Sequence, residues 1–207
     1  LNKPLIPSEL DDVLDSSSKN TTPGPDGITY QMLSKLDSSN RKHILYLMNA
    51  TWQHGRLPKR WKESTIIPIK KPNKSKEDPN NYRPISLNSA TCKVMEKILK
   101  RRLSHFISRE DRLGMEQSGF LNGRCTLDQI VRLQHDIAYQ IRMKAATLGV
   151  FLDLEKAFDL VWRNGVIQRL ENLGIRGAML SWIMDFFLDR TFRVKIRNTL
   201  SHKRTTD

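Results

Sequence analysis

Apolar residues recur at helical spacing in several stretches of the chain, separated by shorter extended segments. Leu10, Val13 and Leu14 mark one face of a short helix over 8–17, with Ser8 placed to cap it. Thr29 can cap a second helix that turns Met32, Leu33 and Leu36 inward. A third runs from about Asn40 to His54, with Ile44, Leu47, Met48, Thr51 and Trp52 on its stripe and Gly55 as its stop. The Met and Trp on that stripe read as core. Ser89 to Ser108 carries the strongest helical pattern: Val94, Ile98, Leu99, Leu103 and Phe106 on one face, and Lys93, Lys97, Lys100, Arg101 and Arg102 on a basic one. Thr126 with Gln129 makes a capping box that opens a helix with Ile130, Leu133, Ile137 and Ile141 inward.

Extended segments interrupt this pattern. Ser64 to Lys71 reads as a strand in which Pro68 demands an edge or a bulge. The polar stretch Pro72 to Asn81 forms a hairpin tip, and Tyr82 to Leu87 resumes extended structure. Residues 147–154 predict a central strand, with Val150, Leu152 and Leu154 on one face and Phe151, Asp153 and Glu155 on the other. Beyond it come a helix from Trp162 to Leu173 ended by Gly174, another from Ala178 to Leu188 containing Trp182, and a strand from Phe192 to Ile196. Helices beside a few strands make the class α+β. The cluster Thr21 to Ile28 packs two prolines and two glycines into positions 23–27, a rigid loop with bare backbone suited to close approach by another backbone.

Charge changes the picture most. The net charge is +13, and it is uneven: residues 1–40 carry −3, residues 41–145 carry +13 and residues 146–207 carry +3. Such a middle stretch favours polyanions, nucleic acid first and an anionic membrane surface second, because neutralising phosphates releases counterions. Cys92 and Cys125 are too few for a disulfide scaffold or a zinc site and predict reduced, buried thiols in an intracellular protein, with no disulfide partner. The five histidines have no ligand spacing. No run approaches the roughly 20 apolar residues that cross a bilayer, so no membrane partner is expected. Because the chain opens on Leu1 and closes on Asp207, it reads as a piece of a longer polypeptide.

Asp153 is the odd residue: an acid at the end of an apolar run. A carboxylate there must reach water, pair with a cation or hold a metal, unless it merely caps the next helix. Metal-assisted phosphoryl transfer is the chemistry that gains most from it. Lys70 and Lys71 before the hairpin tip and Arg83 after it could grip a triphosphate, or form a solvated hairpin.

Five stretches then fall in one order: Pro23-Gly24-Pro25-Asp26-Gly27-Ile28; Ile67-Pro68-Ile69-Lys70-Lys71; Tyr82-Arg83-Pro84-Ile85-Ser86-Leu87; Gly119-Phe120 with Gly123-Arg124; and Phe151-Leu152-Asp153 through Ala157-Phe158-Asp159. Together they resemble the reverse transcriptases of non-LTR (LINE-like) retrotransposons and, more distantly, group II intron enzymes. The resemblance implies a right-hand polymerase fold, with fingers over 1–145 and the beginning of the palm over 146–207. It implies an RNA-directed DNA polymerase that takes an RNA template, a DNA primer or target and deoxynucleoside triphosphates, and works with two Mg²⁺ ions, or Mn²⁺ in their place. By the same resemblance Asp153 is the first catalytic and metal-binding aspartate, with the Leu154 carbonyl a second metal ligand. Lys70 or Lys71, with Arg83, would hold the triphosphate, and Lys156 and Ala157 would offer it backbone N–H groups. Phe158 would be the steric gate that selects deoxyribose, Phe120 and Arg124 would border the template, and Asp159 would be structural.

The sequence departs from the family in lacking the second aromatic-X-Asp-Asp motif, the Pro-Gln-Gly stretch before it and any thumb. These residues by themselves are therefore expected not to polymerise. A second reading, a non-catalytic nucleic-acid-binding remnant or a co-opted protein derived from a polymerase, stays open. The resemblance leaves nucleus or cytoplasm undecided.

Overall fold

Proline at the first helical position and a glutamate two residues on start α1 (Pro7–Ser16) just ahead of the expected Ser8 cap. The Ile6 amide donates to Glu9 Oε2 at 3.0 Å, so Ser8 lies inside the first turn and the capping acceptor is Glu9. The computed structural model describes residues 1–109, 114, 116–121, 123–154, 157–158 and 160–206. After α1 come α2 (Tyr30–Ser34), α3 (Ser38–His54), β1 (Glu63–Lys70), β2 (Tyr82–Asn88) and α4 (Ala90–Arg109). They are followed by α5 (Thr126–Arg142), α6 (Arg163–Asn172), α7 (Ala178–Phe187), β3 (Thr191–Ile196), β4 (Thr199–Leu200) and β5 (Arg204–Thr205). The mixed α and β content agrees with the expected class. Two compact units result: Leu1–Phe106 with Arg163–Asp207, and Ile107–Trp162.

In the first unit the core is helical. Leu10, Val13 and Leu14 of α1, Val94, Met95, Ile98 and Leu99 of α4, and Met179, Leu180 and Trp182 of α7 are buried together with Met48 and Trp52 of α3. Thr29 caps α2 as expected, its Oγ1 accepting from the Met32 amide at 3.2 Å, but Met32 itself points out and Tyr30 goes in. On α3 the period centres the stripe on Leu45, Met48 and Trp52, which leaves Leu47 exposed and Ile44 part-buried, against expectation. Gly55 ends that helix in the left-handed region (φ +62°), as its position predicted.

The basic face of α4 is not free. Lys97 Nζ donates to Ser17 Oγ at 2.8 Å, Arg101 reaches Ser16 Oγ at 2.9 Å, and Arg102 clasps Glu9. Burial, with the neighbouring Lys93 and Arg101 charges, lowers the Lys97 pKa below its ordinary value. Cys92 is buried, as predicted, and burial with the Glu96 carboxylate beside it pushes its thiol up, so it stays protonated.

The proline and glycine loop before α2 makes the close approach its composition suggested. A Cβ on Gly24 would stand 2.5 Å from the Asn88 carbonyl carbon and 2.7 Å from the Ser89 amide nitrogen. Only glycine fits against that backbone.

The sheet runs β2-β1-β3-β4, with β5 also on β3. β1 and β2 form an antiparallel hairpin, with Ile69 opposite Arg83, Ile67 opposite Ile85 and Pro68 opposite Pro84. The Lys71 amide donates to the Asn81 carbonyl at 2.8 Å. Hydrogen-bonded pairs therefore fall at every second step from there, and the two prolines face each other at a non-hydrogen-bonded step. Neither costs the hairpin a bond. On its other side β1 pairs with β3 in parallel only from Glu63 to Ile66, so Pro68 lies on the unpaired edge its sequence demanded. No residue of these strands belongs to the buried core.

The second unit contains α5. Its cap falls one residue earlier than expected: Cys125 is the cap, and its amide donates to Asp128 Oδ2 at 2.7 Å. Cys125 is exposed, which corrects the expectation that both thiols are buried. The apolar face expected to turn inward is also exposed at Ile130, Leu133, Ile137 and Ile141. Residues 147–154 are not a strand. An apolar strand repays its ordering only when a neighbouring strand takes up its backbone groups, and among the described residues none pairs with this one. Leu152 is accordingly 92% exposed and Phe151 85%.

Candidate functional site

The hairpin places one group of candidate residues. Lys71 follows Ile69 by two, so it shares the face of Ile69 and of Arg83 opposite, whereas Lys70 sits opposite Tyr82 on the other face. Sequence spacing treats the two lysines alike; pairing register puts them on opposite faces. Lys70 Nζ donates to the Lys74 carbonyl at 3.2 Å and Lys71 Nζ to the Asn80 carbonyl at 2.9 Å, both within the tip. An ammonium has three donors, so each keeps capacity for an anion. Arg83 is exposed on the face it shares with Lys71.

A different group lies in the second unit. Phe120 and Phe158 meet edge to face, with ring centroids 6.2 Å apart and planes at 90°. Phe120 has φ +63° and is 91% exposed, so two large apolar rings stand together in solvent. Nearby in sequence, Arg124 donates to the Gln117 carbonyl at 2.5 Å, and Gln129 bonds Ser118 Oγ. These contacts tie the loop to the start of α5. Ala157 and Phe158 form part of a turn, and Asp153 and Leu154 are exposed. Lys156, with Glu155 and Asp159, lies outside the described residues.

Among the described residues no three His, Cys, Asp or Glu side chains gather as a metal site. Among the described residues Asp153 offers one carboxylate and Leu154 one carbonyl, a partial donor set for Mg²⁺, which commonly takes one or two carboxylates and completes its six positions with waters and substrate phosphates. No helix among the described residues is long and apolar enough to cross a membrane.

The alternation Phe192-Arg193-Val194-Lys195-Ile196 held one signal that the sequence reading left unused: two cations on one face of β3.

Residues 69–206 match the family model for reverse transcriptase (RNA-dependent DNA polymerase), and the chain belongs to that family. Its relatives place it in the branch carried by non-LTR retrotransposons. It is 31% identical over 199 residues to a probable RNA-directed DNA polymerase from transposon BS of Drosophila melanogaster, covering 96% of this chain and 22% of that protein. It is 27% identical over 199 residues to the RNA-directed DNA polymerase from mobile element jockey of the same fly, covering 95% and 22%. A Retrovirus-related Pol polyprotein from type-1 retrotransposable element R2 of Popillia japonica is 27% identical over 180 residues, covering 86% and 24%. The chain thus spans between a fifth and a quarter of these curated relatives.

Proposed function

We propose that this chain is the nucleotide-gripping and first catalytic portion of an RNA-directed DNA polymerase that copies retrotransposon RNA inside the cell. The observation that carries the reading is the hairpin register, which puts Lys71 and Arg83 side by side on one exposed face within the segment that matches the family. In this reading the chain adopts part of a right-hand fold, with fingers over 1–145 and the palm beginning at 146. Lys71 and Arg83 hold the triphosphate of an incoming deoxynucleotide, Lys71 as a point charge and Arg83 as a planar fork. Lys70, on the opposite face, serves the hairpin tip. Phe158 lies against the sugar and Phe120 supports it, while Arg124 steadies the loop that borders the RNA template. Lys156 and Ala157 offer backbone N–H groups to the phosphates. Asp153 and the Leu154 carbonyl are the chain's share of a Mg²⁺ or Mn²⁺ site whose other ligands come from elsewhere, and the ions would stabilise charge developing on the transferred phosphate.

The test is primer extension by the parent protein on an RNA template with a DNA primer and deoxynucleoside triphosphates. Extension is expected, and Asp153→Asn is expected to abolish it while template binding persists. Extension that survives Asp153→Asn would remove the catalytic assignment. Template binding without any extension by the unsubstituted protein would favour the remnant reading.

A further inference from the structure

The face of the sheet that carries Lys71 and Arg83 continues onto β3. Thr65 pairs with Arg193 in parallel register, so Arg193 shares the face of Thr65, Ile67, Ile69 and Lys71, and Lys195 follows on that face two residues later. Arg83, Arg193 and Lys195 are all exposed, and among the described residues none of the three side chains makes a hydrogen bond or ion pair. Exposed apolar surface lies beside them, since Ile69 is 52% exposed and Ile85 43%.

Strand geometry gives the spacing. Two residues along β3 separate Arg193 from Lys195 by about 7 Å, and two strand widths with two further residues separate Lys195 from Arg83 by roughly 12 Å. The three cations therefore trace one bent line, along β3 from Arg193 to Lys195 and then diagonally over β1 to Arg83 on β2, flanked by isoleucines. A row one cation wide suits one phosphate backbone, and apolar side chains beside it suit the faces of unpaired bases.

We infer that this sheet face is a track for single-stranded RNA, with Arg193 and Lys195 on successive phosphates and Ile69 and Ile85 against bases. The inference rests on the template-copying reading above, in which the uncopied strand is single. It adds two residues of β3 to those that the hairpin supplies.

The experiment is fluorescence anisotropy of a labelled 12-nucleotide oligouridine bound by the 207-residue chain, across a salt series. Each phosphate contact on a single strand contributes about 0.7 to the slope of log K against log salt. The pair Arg193→Gln with Lys195→Gln is expected to lower the slope by about 1.4. Each single change is expected to lower it by about 0.7 and stands in if the pair fails to fold. Lys35→Gln with Lys42→Gln, which removes the same charge from exposed positions away from the sheet, is expected to leave the slope unchanged. An unaltered slope in the Arg193 and Lys195 variants, an equal fall in the Lys35 and Lys42 control, or no binding by the unsubstituted chain would each overturn the track. Primer extension by the parent protein and its loss with Asp153→Asn examine the underlying reading separately, so either can fail alone.

Discussion

Arg102 holds Glu9 with two nitrogens, Nε to Oε1 and Nη2 to Oε2, each at 2.6 Å. The same guanidinium donates to the carbonyls of Leu1 and Pro4, at 3.2 and 2.9 Å, and lies over the Trp52 ring. One side chain on α4 therefore fastens the first nine residues to the helical core. Arg102→Ala should cost about 2 kcal/mol, since bonds to charged groups are the strong ones but this pair is partly screened by solvent. For a chain of this size that is a fall of roughly 4–8 °C in melting temperature, readable by circular dichroism.

The same pair gives an acid limb. Burial pushes the Glu9 carboxyl up, but the Arg102 hydrogen bonds, the Ile6 amide and the Arg102 charge together bring it below its ordinary 4.5. A carboxyl depressed in the folded state stabilises fully above its unfolded value and loses that stability as pH falls through the folded one. Urea midpoints should therefore decline below about pH 4.5 in the unsubstituted chain, and Glu9→Gln should flatten that decline.

Two glycines three positions apart in the loop, Gly24 and Gly27, should respond for different reasons. Gly24→Ala drives a methyl into the Asn88–Ser89 backbone and should cost about 2 kcal/mol or more. Gly27, with φ +72° and open space around it, should cost only about 1 kcal/mol when changed to Ala. Equal losses in thermal melts would contradict the close approach.

If register decides which lysine meets the triphosphate, Lys71→Gln should weaken deoxynucleotide binding about tenfold, the loss of one charge-assisted contact of about 1.4 kcal/mol. Lys70→Gln should change it less than twofold. Nucleotide KM in the parent protein distinguishes the two.

Phe158→Ala should admit ribonucleotides in the parent protein, raising their kcat/KM relative to deoxynucleotides at least tenfold. Phe120→Ala should act in the same direction and more weakly, because it removes only the ring that supports Phe158 edge-on. Unaltered sugar selection in Phe158→Ala would end the gate assignment.

Much of this was legible from local patterns. The α1 face, the Gly55 stop, the edge position of Pro68 and the close approach at Gly24 follow from period and backbone chemistry alone. What was not legible depends on partners distant in sequence. Lys70 and Lys71 could not be told apart until the hairpin register was known. On α4 the period marks a basic face, but nothing local announces that α1 lies against it. Residues 147–154 have the composition of a buried strand, yet composition cannot supply the neighbouring strand that would make one. Ile130 and Ile141 have the period of a core face, yet no core covers them among the described residues. The resemblance named candidate residues for a site, and pairing register gives the faces on which those of the hairpin lie.

The prolines opposite each other in the hairpin have a further effect. Past Ile66 neither outer margin of the hairpin pairs with another strand among the described residues. The backbone nitrogens of Pro68 and Pro84 point to those margins, and neither carries a hydrogen. Each margin thus loses a donor midway along, and Lys70, Lys71 and Arg83 add like charge beyond it. A second copy of the chain finds no continuous ladder to extend and meets repulsion if it tries. The protein can hold a naked two-stranded arm in solvent without seeding self-assembly through its edges.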